Sequence, residues 1–141
     1  MAWACARFGR LALRVTPLAD VAGSADAVDF EPVRRAEVAL RNPSVRAGKA
    51  VLQLYLAPLD DGGAPDLPRP PQWLAGFCAL ALAPDAPGLA QIDIPARAFA
   101  SFDPATASWR SRPGRYELRA AASSRDVRLH TSLSHGLAAG P

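Results

Sequence analysis

The sequence has few of the residues from which metal centres and reactive sites are built. Its 141 residues include two cysteines, Cys5 and Cys78, and two histidines, His130 and His135. Neither cysteine has a second ligand at the spacing of a zinc site, and no nucleophile elbow lies near the histidines. A disulfide between Cys5 and Cys78 stays open at this stage. We therefore expect no metal and no cofactor.

Long apolar runs and basic runs are also lacking. No window reaches the roughly 18 apolar residues that a membrane-spanning helix needs. Arg7, Arg10 and Arg14 interrupt the apolar stretch that an export signal would need. The 16 basic residues give a net charge of only +3 and never form a run of four. We expect no membrane and no nucleic-acid partner, and the cellular location stays unassigned.

Proline and glycine, by contrast, are plentiful. The 14 prolines and 10 glycines are spread along the whole chain, which disfavours long helices and favours many short elements between turns. No amphipathic helix of the length that a parallel α/β fold requires is present. Instead, several segments alternate apolar and polar residues with the period of a half-buried strand. The sequence predicts an all-β, antiparallel sandwich of about seven strands.

The predicted domain occupies residues 8–133, after a lead-in at 1–7 and before a flexible tail at 134–141. A proline- and glycine-rich surface loop is expected at 57–71. The predicted strands are Leu11–Val15, Ala36–Arg41, Ala50–Leu56, Trp73–Leu82, Leu89–Ile94, Gly114–Ala121 and Asp126–Leu133. Their inward faces predict a core that includes Leu52, Leu54, Phe77, Leu80, Leu82, Ile92, Tyr116 and Leu129.

An ordered set of short motifs resembles a known family. Asn42-Pro43 leads into a strand containing Gln53-Leu54-Tyr55, followed by Arg69-Pro70, then Leu74 with Gly76-Phe77, then Gly114-Arg115-Tyr116, and finally Ser123-Ser124. The set is similar to the fibronectin type III-like C-terminal domain of family 3 glycoside hydrolases, the β-glucosidase type. It departs from that pattern at Pro43-Ser44, where Thr-Gly is usual, at Asp85-Ala86, where Gly-Glu is usual, and at Ala121, where glycine is usual.

The resemblance implies a domain without catalytic residues of its own, because the family holds its carboxylate nucleophile and its acid/base residue in preceding domains. Glycoside hydrolysis requires two carboxyl groups flanking the scissile bond. The adjacent pair Asp60-Asp61 lies in the predicted loop, where solvation is the simpler interpretation. His130 in the last strand and His135 in the tail have no catalytic neighbour in the sequence. Ser123 and Ser124 are expected to be turn residues.

The implied partners are the catalytic domains of a family 3 enzyme, with self-association as a second possibility. The three tryptophans, Trp3, Trp73 and Trp109, are expected to pack in the core or against a neighbouring domain. The alternative is a free-standing module that binds carbohydrate or protein. A planar row of exposed rings would favour sugar binding, whereas a large apolar patch would favour a domain interface. The candidate interface residues are Trp3, Phe8, Asp60, Asp61, Arg69 and Trp73.

Overall fold

The computed structural model describes residues 12–18, 28–62 and 64–136. Within these ranges nine antiparallel strands and one short 3-10 helix, Ala96–Phe99, follow one another along the chain. The strands are β1 Ala12–Pro17, β2 Pro32–Arg41, β3 Gly48–Pro58, β4 Trp73–Leu82, β5 Pro87–Pro95, β6 Ala100–Asp103, β7 Ser108–Ser111, β8 Gly114–Ser123 and β9 Asp126–His135. No helix among the described residues is long and apolar enough to cross a membrane.

Two sheets face each other and form the sandwich. One has the strand order β1-β2-β5 and the other the order β4-β3-β8-β9, while β6 and β7 form a separate hairpin. The alternation of β3 places Leu52, Leu54 and Leu56 inside, and each of them is at most 1% exposed. They pack with Ile92 and Ile94 of the opposite sheet in one apolar cluster. The predicted antiparallel sandwich is therefore confirmed.

Of the predicted core, Leu52, Leu54, Leu82, Ile92 and Tyr116 are buried, and Leu80 and Leu129 are partly buried against it. The prediction is wrong for Phe77. The side chain of Phe77 is 69% exposed. Its register partner is Gln53, which lies on the outward face of β3. Directly paired residues of an antiparallel ladder share a face of the sheet. The same alternation that carries Leu80 and Leu82 inward therefore carries Phe77 outward.

Gly76 lies at a β-bulge and at a close approach of the two sheets. The β3–β4 register slips at this point, since Leu54 pairs with Gly76 but Tyr55 pairs with Leu74. A Cβ atom on Gly76 would lie 2.7 Å from Cγ2 of Ile92 in the other sheet. The bulge and the close approach of the two sheets therefore coincide at a position where only glycine fits.

Two further differences concern the end of the chain and its turns. Strand β9 runs through Ser134 and His135, so the prediction that the tail begins at residue 134 is wrong for these two residues. His135 is 1% exposed, because its ring stacks on Phe99 in the core. Asp85, which stands where glycine is usual, has φ +53°. Its side chain accepts hydrogen bonds from Arg41, which helps to hold this left-handed turn.

Candidate interaction surface

A buried tyrosine organises one end of the sandwich. Tyr116 is fully buried in β8, and its hydroxyl donates to the backbone carbonyl of Arg112 four residues earlier. This arrangement is a tyrosine corner. Burial raises the pKa of Tyr116, which keeps the phenol protonated and able to donate. The same oxygen accepts a 2.7 Å hydrogen bond from Arg69, which ties the long loop to the core.

Arg112 fastens that loop from the other side. Its side chain is 2% exposed, and it donates to the backbone carbonyls of Asp61, Gly62 and Ala64. Burial is the main cause that lowers the pKa of Arg112, and the nearby Arg69 contributes. A buried cation is tolerated only when it is well hydrogen-bonded, and loop carbonyls serve that purpose here. The segment after β3 is thus fixed by arginine side chains.

Asp60 and Asp61 are part of this fixed loop. The carboxylate of Asp60 accepts hydrogen bonds from the backbone N–H groups of Gly62, at 2.9 Å, and Arg115, at 2.8 Å. Gly114 lies against that carboxylate with φ +149°, so a side chain at position 114 would clash with it. The expectation of a merely solvated carboxylate is therefore wrong for Asp60. Asp60 is a structural acceptor that joins the loop to β8.

Beside the loop, a groove of about 510 Å³ opens between the start of β4 and the β6–β7 hairpin. Trp73 is anchored there, because its indole Nε1 donates to the carbonyl of Ala98 at 2.9 Å. The side chains around the groove include several that remain largely in contact with solvent. Exposed fractions are 72% for Phe30, 50% for Leu74, 49% for Phe102 and 40% for Trp109. This groove, with its exposed apolar and aromatic side chains, is called the aromatic groove below.

Two arginines line the aromatic groove, and each lies against two aromatic rings. The guanidinium carbon of Arg69 lies 5.8 Å from the ring centroid of Trp73 and 5.3 Å from that of Tyr116. The guanidinium carbon of Arg97 lies 4.0 Å from the centroid of Trp109 and 4.8 Å from that of Phe30. Such stacking is favourable and fixes the orientation of the planar cation.

The predicted interface residues fall into two groups. Arg69 and Trp73 line the aromatic groove, and the backbone carbonyl of Asp60 accepts a hydrogen bond from Arg69. Asp61 follows in the same loop. Trp3 and Phe8 lie outside the described residues. The fold brings the other four, Asp60, Asp61, Arg69 and Trp73, to the same end of the sandwich. That they form an interface stays a prediction.

The residues of the motifs that resemble the family make contacts of several kinds. Tyr55 donates from its hydroxyl to Oε1 of Gln53 at 2.6 Å on the outward face of β3. Pro70 and Leu74 line the aromatic groove. Ser123 accepts the backbone N–H of Arg125 in the β8–β9 turn, as a turn serine should. The carbonyl of its neighbour Ser124 accepts a hydrogen bond from Gln72.

Sequence reasoning missed Phe30, Arg97 and Phe102. Phe30 lies at the end of a segment that reads as a low-order connection, and Arg97 lies in a short piece without clear periodicity. Their roles depend on the β6–β7 hairpin, which brings Trp109 opposite Phe102 in the strand register. Cys78 has no disulfide partner among the described residues, and Cys5 lies outside them. Within the same part of the chain no His, Cys, Asp and Glu side chains group as metal ligands would.

Comparison with known proteins agrees with this architecture. The model of the fibronectin type III-like domain family matches residues 50–124. The β-glucosidase cel3A of Pyricularia oryzae is 35% identical over 105 residues, which is 74% of this chain and 14% of that protein. A β-glucosidase of Rhizobium radiobacter is 38% identical over 98 residues, or 68% of this chain and 11% of that protein. The β-D-glucoside glucohydrolase structure from Trichoderma reesei superposes with a TM-score of 0.70 at 29% identity, covering 91% of this chain and 18% of that one.

The chain therefore belongs to the fibronectin type III-like domain family. Within it, the chain is a domain of the kind found at the C-terminus of family 3 β-glucosidases. It spans less than a fifth of the length of each of these relatives. The relatives thus contain other regions against which a domain of this kind could pack.

Proposed function

We propose that this domain has no catalytic activity of its own, and that it packs against and stabilises the catalytic domains of a family 3 glycoside hydrolase. The observation that carries the proposal is the aromatic groove, whose rim exposes Phe30, Leu74, Phe102 and Trp109 to solvent. Exposed apolar groups that cluster around one concave surface are typical of sites that another protein surface covers. The relatives that match this chain are much longer β-glucosidases, which supports their catalytic regions as the covering surface.

The geometry of the rings favours a protein partner over a sugar. The rings of Phe102 and Trp109 meet at 71°, with centroids 5.7 Å apart, so they do not form a flat platform. Arg97 lies over the ring of Trp109 and competes for a face on which a sugar ring would stack. Carbohydrate binding by a free-standing module remains the alternative outcome of the experiment below.

The arrangement of Asp60 supports the absence of catalysis. A glycosidase needs one carboxylic acid that protonates the leaving group and one carboxylate that attacks or activates water. The carboxylate of Asp60 is instead occupied by two backbone N–H donors and lies 4.0 Å from Arg69. Purified chain should therefore hydrolyse no aryl glycoside once host glycosidases have been removed.

The experiment is a titration of the chain into the catalytic region of the Rhizobium radiobacter β-glucosidase, produced without the part that this chain matches. Circular dichroism first establishes that this region is folded. Saturating chain should raise its melting temperature, because a ligand at about 100 times its Kd stabilises by about 2.7 kcal/mol. An unchanged melting temperature and activity would contradict the proposal. Binding of the chain to an insoluble glucan in that case would support the carbohydrate alternative.

A further inference from the structure

The two arginines of the aromatic groove, Arg69 and Arg97, differ in their hydrogen-bond and charge partners. Arg69 is hydrogen-bonded to the hydroxyl of Tyr116 and to the carbonyl of Asp60. Arg97 uses its Nε to donate to the carbonyl of Val28 at 2.6 Å. Among the described residues no carboxylate lies within ion-pair distance of Arg97. Its positive charge therefore faces the groove without a counter-charge from this part of the chain.

The position of Arg97 is nonetheless well defined. Its guanidinium lies over the rings of Phe30 and Trp109, and its Nε is held by a backbone carbonyl. Its backbone N–H also donates to the carbonyl of Asp29 at 2.8 Å, which fixes the start of the 3-10 helix. A stacked guanidinium keeps its remaining N–H donors in one plane, a geometry that matches a carboxylate in a bidentate pair. Little conformational entropy is left to lose when such a pair forms.

The surroundings of Arg97 restrict the kind of ligand further. The described lining of the groove contains no acidic side chain, and its other members are mostly apolar: Pro68, Pro70, Trp73, Leu74, Pro95 and Phe102. A groove of about 510 Å³ has the size at which proteins bind a few side chains or a small molecule. An occupant that matched it would combine apolar side chains with one carboxylate.

We propose that the aromatic groove binds an apolar segment that presents an Asp or Glu carboxylate to Arg97. That this segment belongs to the catalytic domains of a family 3 enzyme rests on the proposed function. The preference for a carboxylate rests on the groove alone. The two parts can therefore fail separately.

The groove is tested with two capped peptides, acetyl-Pro-Leu-Glu-Phe-amide and its Gln counterpart, which differ only in charge. Chemical shifts of the indole N–H groups and of the β6–β7 amides report binding to the whole chain. The Glu peptide should bind at least about tenfold more tightly, the lower end expected for a charged hydrogen bond. Equal affinities, no response to either peptide, or shifts located outside the groove would overturn the proposal.

Three variants sharpen the result. Arg97→Gln should abolish the preference for the Glu peptide, and Arg97→Lys, which keeps the charge without the planar fork, should reduce it. Arg46→Gln removes an exposed arginine in the loop between β2 and β3 and should leave the preference intact. Thermal melting of each variant establishes that the fold is retained. A preference that survives in Arg97→Gln would overturn the role of Arg97.

The same variants separate this inference from the proposed function. Binding of the chain to the Rhizobium radiobacter catalytic region should weaken about tenfold in Arg97→Gln and become less dependent on salt. If the parent chain and Arg97→Gln bind that region equally well, the claim that the groove takes a segment of that region is wrong while the proposed function stands. If neither binds it but the Glu peptide still prefers Arg97, the proposed function is wrong while the groove assignment stands.

Discussion

His135 stacks on Phe99 with ring centroids 4.3 Å apart and ring planes within 8° of parallel. The Nε2 atom of His135 lies 3.2 Å from the Ser111 hydroxyl, and its buried Nδ1 has no partner among the described residues. Arg34 from β2 lies close enough to oppose a positive charge on the ring, and donates to the neighbouring Ser134 carbonyl. Burial, with this contribution from Arg34, lowers the pKa of His135 from 6.5 to about 4.

This depressed pKa predicts that the fold loses stability in mild acid. The unfolded chain takes up a proton on His135 as the pH falls below 6.5, whereas the folded chain resists protonation until about pH 4. The contribution of His135 to stability should therefore be constant above pH 6.5 and decline between pH 6.5 and 4, by up to about 3 kcal/mol. Urea unfolding at a series of pH values measures this decline.

A pair of histidine variants identifies the group responsible. His135→Phe keeps a ring against Phe99 and should flatten the decline, while His130→Phe at an exposed position should leave it unchanged. Asp103 does not interfere, because the Ala105 N–H and Arg110 hold its pKa below the ordinary value of 3.8. The stabilisation from Asp103 is present above that value and is lost only as the pH falls through the lowered pKa. A slope that persists in His135→Phe would assign the acid sensitivity elsewhere.

Truncation of two phenylalanines should have very different effects. Phe99 is 1% exposed and makes edge contacts with Tyr116, so Phe99→Ala should cost about 3–5 kcal/mol of unfolding free energy. Phe77 is 69% exposed, so Phe77→Ala should change stability by no more than about 1 kcal/mol. Chemical denaturation of both variants checks the contrast, and a large loss in Phe77→Ala would mean that β4 has the opposite face inward.

Asn42 should be the most sensitive polar residue outside the loop. It is 1% exposed, and its Nδ2 donates to the carbonyls of Arg46, Leu82 and Ala83 while its Oδ1 accepts from the Ser44 N–H. Asn42→Ala removes the side-chain partner of these four backbone groups, of which the Leu82 carbonyl is buried, and should cost about 2–3 kcal/mol. Thermal unfolding of Asn42→Ala is compared with that of Gln91→Ala, a control at an exposed position of β5. Equal melting of the two variants would contradict this role of Asn42.

The β6–β7 turn offers a stabilising substitution. Ala107 has φ +50°, a conformation that costs an L-residue about 1–2 kcal/mol and glycine almost nothing. Ala107→Gly should therefore raise the stability by up to about 1 kcal/mol. The matched change Ala79→Gly, at an exposed position in β4, should lower it by about 0.5–1 kcal/mol. Loss of stability in both variants would show that the turn is not strained.

The sequence predicted the sandwich well because its strongest signals are local. Alternation correctly placed Leu52, Leu54 and Tyr116 inside. The error at Phe77 came from weighing hydrophobicity above alternation. Residues 134 and 135 were assigned to the tail because no local sequence pattern predicts that His135 stacks on Phe99.

The groove could be predicted only in part. Arg69 and Trp73 belong to recognisable motifs, whereas Phe30 and Arg97 are separated by 67 positions and meet only after folding. Their contact depends on the hydrogen bond from the backbone N–H of Arg97 to the carbonyl of Asp29, and on the hairpin that contains Trp109. Such long-range pairings have no period in the sequence and follow from the topology alone.

The central claim is that this domain docks on catalytic domains through the aromatic groove. Hydrogen–deuterium exchange of the chain, with and without the Rhizobium radiobacter catalytic region, tests it most directly. We expect slower amide exchange in Ala96–Phe99, Ala100–Asp103 and Ser108–Ser111, which border the groove. Unchanged exchange in these segments, or protection confined to β1 and β2 on the other sheet, would contradict the claim.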